Sequence, residues 1–187
     1  MLRFFQKVLM ESESIASQNR SGRYQIQGTD TAVYGGAFVV VTGMADNSVY
    51  SAYTPGIKDF NVLKIEAPAD VDVKGIYVVD LVKISDGSIM NNVYRMGAKT
   101  IGLQALAGEN VAMRKVAEQD EFVLGRENFT GAPTVGQFAI LTAASVDLTP
   151  AAIVPVAGLC VAIEQRETIS QGTTGDVEAY LCRVVQL

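Results

Sequence analysis

Short β-branched or alternating runs recur along this sequence at intervals of about ten residues, each closed by turn-forming residues, and that rhythm limits the fold more than any other feature. Residues 23–27 alternate before Gly28-Thr29-Asp30. Residues 37–42 form a continuous apolar run that stops at Gly43, residues 61–67 alternate, and residues 75–84 are rich in Val, Ile and Tyr. Asp46-Asn47, Thr54-Pro55-Gly56, Ala67-Pro68, Asp86-Gly87 and Asn91-Asn92 punctuate them. Asp86-Gly87, between residues 78–84 and 88–94, is the strongest hairpin signal. Residues 111–115 and 121–124 fit two strands about a turn at 117–120. The competing reading, a helix capped by Asn110 and running to Gln119, leaves Val111, Met113 and Val116 on a poorly defined stripe. Residues 138–142, 158–164 and 177–185 continue the pattern, with a final turn from Gly172 to Gly175. The expectation is a mainly β fold, an antiparallel β-sandwich or a barrel-like arrangement.

The last third of the chain loosely repeats the first. Gly36-Ala37-Phe38-Val39-Val40-Val41-Thr42 has the shape of Gly136-Gln137-Phe138-Ala139-Ile140-Leu141-Thr142. Ser48-Val49, Thr54-Pro55, residues 62–66 and residues 77–82 are then answered in order by Ser145-Val146, Thr149-Pro150, residues 160–164 and residues 180–185. What recurs is strand and turn chemistry, and apart from Glu66 and Glu164 no reactive residue recurs with it. The division expected is an N-terminal arm over residues 1–22 and one β-rich domain over 23–187. Within that domain the echoed halves, about 24–85 and 122–187, are joined by 86–121, a pseudo-duplicated pattern.

At 187 residues the chain can hold one substantial core, and 49% apolar against 19% charged residues is a globular composition. The formal net charge is −5, with 15 Lys and Arg scattered along the chain, so the clustered cations that displace counterions from nucleic acid are missing and no nucleic-acid partner is expected. No apolar run approaches the roughly 18 residues that cross a bilayer, so no membrane partner is expected. Arg3, Gln6, Lys7 and Glu11 interrupt the N-terminus, which does not read as a signal peptide. Cys160 and Cys182 each sit in an apolar run and read as small buried hydrophobes; a bridge would need their strands to be neighbours and an oxidising compartment.

Residues 1–22 differ from the rest. Leu2, Phe5, Leu9 and Ser12 fall at helical spacing, with Phe4 and Val8 widening the apolar face, so the arm has the periodicity of a short helix. A helix this short does not hold alone in water and must dock. Two readings stay open: packing against its own domain, or reaching a neighbouring subunit. On the second, removing residues 1–20 would spare folding and weaken assembly.

The chain contains no histidine, which removes Ser-His and Cys-His nucleophile pairs and the commonest general base. Asp70, Asp72, Glu66 and Glu164 are the remaining carboxylate candidates. Asp70 and Asp72 lack the further ligands of a loop cation site and read as solvated acids, and Glu66 and Glu164 read as charges at strand ends. No phosphate loop, dinucleotide fingerprint or cysteine metal cluster is present; Gly97-Ala98-Lys99-Thr100 and Gly125-Arg126-Glu127-Asn128 read as turns. No cofactor and no catalysis are expected. Tyr24, Tyr34, Tyr50, Tyr53, Tyr77, Tyr94 and Tyr180 are the amphipathic aromatics suited to interfaces, although Tyr77 and Tyr180, at echoed strand starts, read as core.

Val93-Tyr94-Arg95-Met96-Gly97, the segment Asn110-Val111-Ala112-Met113-Arg114-Lys115-Val116, Asp120-Glu121-Phe122-Val123-Leu124, Phe129-Thr130-Gly131 and Gly136-Gln137-Phe138 resemble the small capsid decoration, or head-stabilising, proteins of tailed bacteriophages. An early strand of the Gly36-Ala37-Phe38-Val39 kind opens the folded part of that family, and the resemblance extends loosely over residues 24–187. It implies a cement subunit on the exterior of the virion capsid, assembled in the host bacterial cytoplasm. It further implies bridging of major capsid protein subunits without chemistry, and small homo-oligomers, often trimers. Candidate inter-subunit or capsid contacts are Leu2, Phe4, Phe5, Val8, Leu9, Tyr50 and Tyr53. The competing readings are a phage tail or baseplate component, a carbohydrate-binding β module stacking sugars on Tyr50 and Tyr53, and, last, an enzyme using Asp70, Asp72 and Glu66.

Overall fold

The run Phe38-Val39-Val40 is apolar at every position because both of its faces are buried, and the architecture follows from that. The computed structural model describes residues 3, 5–10, 19–46, 58–72, 74–81, 104–170 and 176–187. Fourteen strands are formed among the described residues. They are β1 (Phe5–Leu9), β2 (Asn19–Ile26), β3 (Thr29–Asp30), β4 (Val33–Tyr34), β5 (Phe38–Asp46), β6 (Lys58–Glu66), β7 (Ile76–Val79) and β8 (Gln104–Ala105). There follow β9 (Asn110–Lys115), β10 (Glu121–Gly125), β11 (Phe138–Leu141), β12 (Leu148–Ala151), β13 (Cys160–Ser170) and β14 (Asp176–Gln186). A 3-10 turn, Arg126–Asn128, follows β10, and among the described residues no helix is long and apolar enough to cross a membrane. The molecule is mainly β, with antiparallel sheets packed in a sandwich-like arrangement, as the sequence predicts.

One sheet closes on itself. Its order is β3-β2-β6-β5-β7-β9, and β9 pairs back onto β2, so β2, β6, β5, β7 and β9 form a ring without a free edge among them. All its pairs are antiparallel except β2 with β6, which run parallel from Gly22↔Leu63 to Tyr24↔Ile65. Register shifts between Val41 and Gly43 and between Met44 and Asp46 supply the bends that closure requires. Tyr24, Val39, Ile65, Tyr77, Val79 and Met113 fill the interior. Gly22 faces that filling: a Cβ there would stand 2.8 Å from Ile65 Cγ2 and 3.3 Å from Met113 Cε, so no side chain fits. The β2–β3 hairpin turns through Gln27 (φ 51°) and Gly28 (φ 78°), the two consecutive left-handed residues of a tight two-residue connection.

The other sheet stays open, in the order β1-β10-β14-β13-β11-β12. It packs on the outer wall of the ring. In β5 and β7 alternate side chains face opposite ways: Val39, Tyr77 and Val79 enter the ring, while Phe38, Val40, Ile76 and Val78 meet Phe122, Leu124, Ile163 and Tyr180 of the open sheet. Phe122 lies 5.9 Å from Phe38 and 6.0 Å from Phe5, ring centre to ring centre. Removing each such aromatic from water contributes roughly 1.5–3 kcal/mol. The edge strand β12 carries Pro150, which lacks an N–H and is tolerated at an edge.

The structure corrects the N-terminal reading. The described part of the arm is a strand, not a helix: β1 adds to β10 from Phe5↔Leu124 to Leu9↔Glu121. Phe5 is 4% exposed and Met10 3%, both in the core between the sheets. Residues 19–22 belong to β2 inside the ring, so the arm ends before residue 22. Of the two docking readings, packing on its own domain is the one seen, and removal of residues 1–20 is now expected to damage the fold.

The strands predicted over 111–115 and 121–124 form, and the turn between them forms too. They are not a hairpin, however: β9 closes the ring and β10 joins the open sheet. The corner is fixed by Asp120, 2% exposed, whose carboxylate accepts from the Ala117 N–H at 2.8 Å while its carbonyl accepts from Val184 at 2.9 Å. The echoed strands take different neighbours: β5 lies between β6 and β7, whereas β14, the counterpart of β7, pairs with β13 and not with β11. The Asp86-Gly87 hairpin, the turns at Thr54-Pro55-Gly56 and Asn91-Asn92, and the Gly172–Gly175 turn lie outside the described residues.

Candidate functional site

Two of the carboxylates offered for chemistry, Glu66 and Glu164, are held by neighbours on their own sheets. Glu66 accepts from Lys64 Nζ at 2.8 Å, within β6, and from Thr42 Oγ1 at 2.8 Å, across to β5. Glu164 meets Arg183 at 2.5 Å across β13 and β14. Asp70 and Asp72 are exposed on the loop after β6, where Asp70 accepts from the Val71 N–H at 2.7 Å. Among the described residues no three His, Cys, Asp or Glu side chains converge as a metal site. Cys160 and Cys182 are both buried and free, opposite Gln186 and Ile163 respectively, and burial pushes both thiols up, away from the reactive thiolate.

Tyr77 and Tyr180 are core residues, as their positions suggest, and Tyr24 joins them. Tyr180 packs edge-on against Phe129 and donates its hydroxyl to Glu178, which Arg166 meets at 3.0 Å. Burial, then the bond to Glu178, pushes this phenol up to about 12.

The predicted contact residues divide. Phe5 is inside the molecule. Val8 and Leu9 are 48% and 62% exposed on β1, the outermost strand of the open sheet, beyond a register shift between Lys7 and Leu9. Leu2, Phe4, Tyr50 and Tyr53 lie outside the described residues. The N-terminus is pinned by Arg3, which makes a two-pronged ion pair with Asp147 and lies 5.1 Å over the ring of Tyr34.

Among the described residues, one cluster of exposed aliphatics lies outside the contact residues expected from sequence. It is the loop Ala152-Ile153-Val154-Pro155-Val156-Ala157 between β12 and β13, where Ile153 is 77%, Val154 42% and Val156 104% exposed. Scattered surface aliphatics are ordinary, but three within four residues make a patch. The loop is held at its base. Gly158 (φ 89°) lies so close to the loop after β6 that a Cβ would overlap the Val71 carbonyl oxygen. The Gln186 side chain meets the same corner, its Nε2 donating to the Gly158 carbonyl at 3.3 Å. Val71, itself 41% exposed, stands between Asp70 and Asp72 beside this base. One signal for the loop was legible: an aliphatic run that neither alternates nor avoids proline, bracketed by Pro150 and Gly158, cannot be a central strand.

Comparison with protein-family models, with curated proteins and with solved structures finds no match to this chain.

Proposed function

We propose that this chain is a bacteriophage virion structural protein, a decoration or cement subunit that binds the exterior of the capsid and stabilises it by bridging major capsid proteins. The observation that carries this is the exposed, pinned apolar loop on a body whose two sheets share one continuous core. A rigid body with a pre-ordered apolar projection loses little conformational entropy on docking, which is what a subunit held by surface fit requires. The resemblance of residues 24–187 to decoration proteins supports the same reading, as does the acidic balance of −5, which suits contact with protein and not with packaged DNA. Small homo-oligomers, trimers foremost, would engage several sites at once and gain strength from effective concentration.

The test is co-sedimentation of the purified chain with mature shells that lack it. Saturable binding at a fixed ratio to the major capsid protein, with a rise in the temperature at which shells rupture, is the expected result. Binding to isolated tails and not to shells would replace this reading with that of a tail component, and binding to neither would end it.

A further inference from the structure

We infer that the loop Ala152–Ala157 is the anchor by which this chain seats on the capsid, and that its receptor is an aliphatic socket on the major capsid protein rimmed by Lys or Arg. This rests on the decoration reading and goes beyond it by naming the surface and the chemistry of its partner.

Three observations carry the inference. First, Ile153, Val154 and Val156 are all exposed within four residues, Val156 wholly to solvent, so their burial is available to a partner and is not spent inside the fold. Second, the loop is fixed at its base by Gly158 against Val71 and by the Gln186 side chain on the Gly158 carbonyl, and Pro155 itself restricts the backbone, so docking does not have to order it. Third, the charge beside it is mainly acidic. Residues 127–165 contain no Lys or Arg, and the exposed Asp70 and Asp72 flank Val71 at the loop's base, with Lys74 the one cation of that neighbouring loop. An apolar tip with acids at its foot complements an apolar socket with a basic rim, and the same acids are repelled by an anionic bilayer.

The test uses the full chain in the shell-binding assay. Replacing Ile153→Ser and Val156→Ser together exposes nothing new, so the unfolding midpoint should hold, while affinity for shells should fall by about 100-fold or more if both side chains are buried on binding. Asp70→Asn with Asp72→Asn should weaken binding by about 3-fold to 10-fold at low salt and by less at high salt, because rim charges are screened. If wild-type chain binds shells and the Ile153/Val156 variant binds equally well, the anchor assignment falls and the decoration reading stands. If wild-type chain does not bind, both fall. Two further outcomes overturn the assignment: the double variant changes sedimentation of the free chain while shell binding persists, which makes a second copy the occupant, or wild-type chain floats with phosphatidylglycerol vesicles in a loop-dependent way, which makes it a membrane.

Discussion

The closed ring and the open sheet are built from similar strands, yet they meet solvent differently. In the ring, β9 returns to β2 and every strand from β2 to β9 in that circuit has two neighbours. In the open sheet, β1 and β12 are left at the margins, and the most exposed large aliphatics among the described residues, Leu9, Ile153 and Val156, lie on or next to those two strands. Closure consumes the edges that otherwise recruit partners, so the ring stabilises and the open sheet is free to make contacts. The wall of β5 and β7, buried on both faces, couples the two.

That coupling gives the largest expected effect. Phe38→Ala empties the contact with Phe122 in the centre of the shared core and should cost about 3–5 kcal/mol. If the wall joins the sheets as described, denaturant unfolding followed by probes in the ring and in the open sheet shifts as one transition. Separate transitions would mean that the sheets are thermodynamically independent. Next comes removal of residues 1–10, which takes away Phe5, Met10 and the Arg3–Asp147 pair and should cost about 2–4 kcal/mol. Hydrogen exchange should then rise in β10 before it rises in β2 and β9. Uniform exchange through both sheets would show that β1 supports more than its own margin.

Gly158→Ala forces a left-handed backbone and an overlap with Val71, a local cost of about 1–3 kcal/mol. It should disturb the loops after β6 and β12 and leave the ring intact by NMR chemical shifts. The smallest effect near neutrality comes from Tyr180. Its phenol is raised from 10.0 to about 12 in the folded chain, so its contribution is fully present below pH 10 and is lost as pH climbs from 10 to 12. Unfolding midpoints over that window should fall for wild type more than for Tyr180→Phe; equal slopes would show that this hydroxyl is not the group responsible.

Much of the fold was legible in the sequence, and the failures have physical causes. Residues 37–42 read as a strand, and their continuous apolarity is explained by a wall with two buried faces. The strands at 111–115 and 121–124 were legible, but their separation into different sheets was not, because partner choice is a long-range property and the corner depends on Val184 bonding Asp120. The arm read as a helix because Phe5 and Leu9 are spaced like one. In the strand that forms, Phe5 and Met10 both face the core although an odd number of steps separates them, and the register shift between Lys7 and Leu9 erases the alternation that would have identified it. For the contact surface, the sequence pointed to the N-terminal arm and to Tyr50 and Tyr53. The aliphatic loop after β12 was not among them, since exposure is invisible until the strands on either side are placed.

The most direct test of this account is a cryo-electron microscopy reconstruction of the intact particle with this chain in place. The account predicts density for it on the outer surface of the shell, with residues 152–157 against the major capsid protein. Density confined to the tail, or absent from the particle, would contradict it.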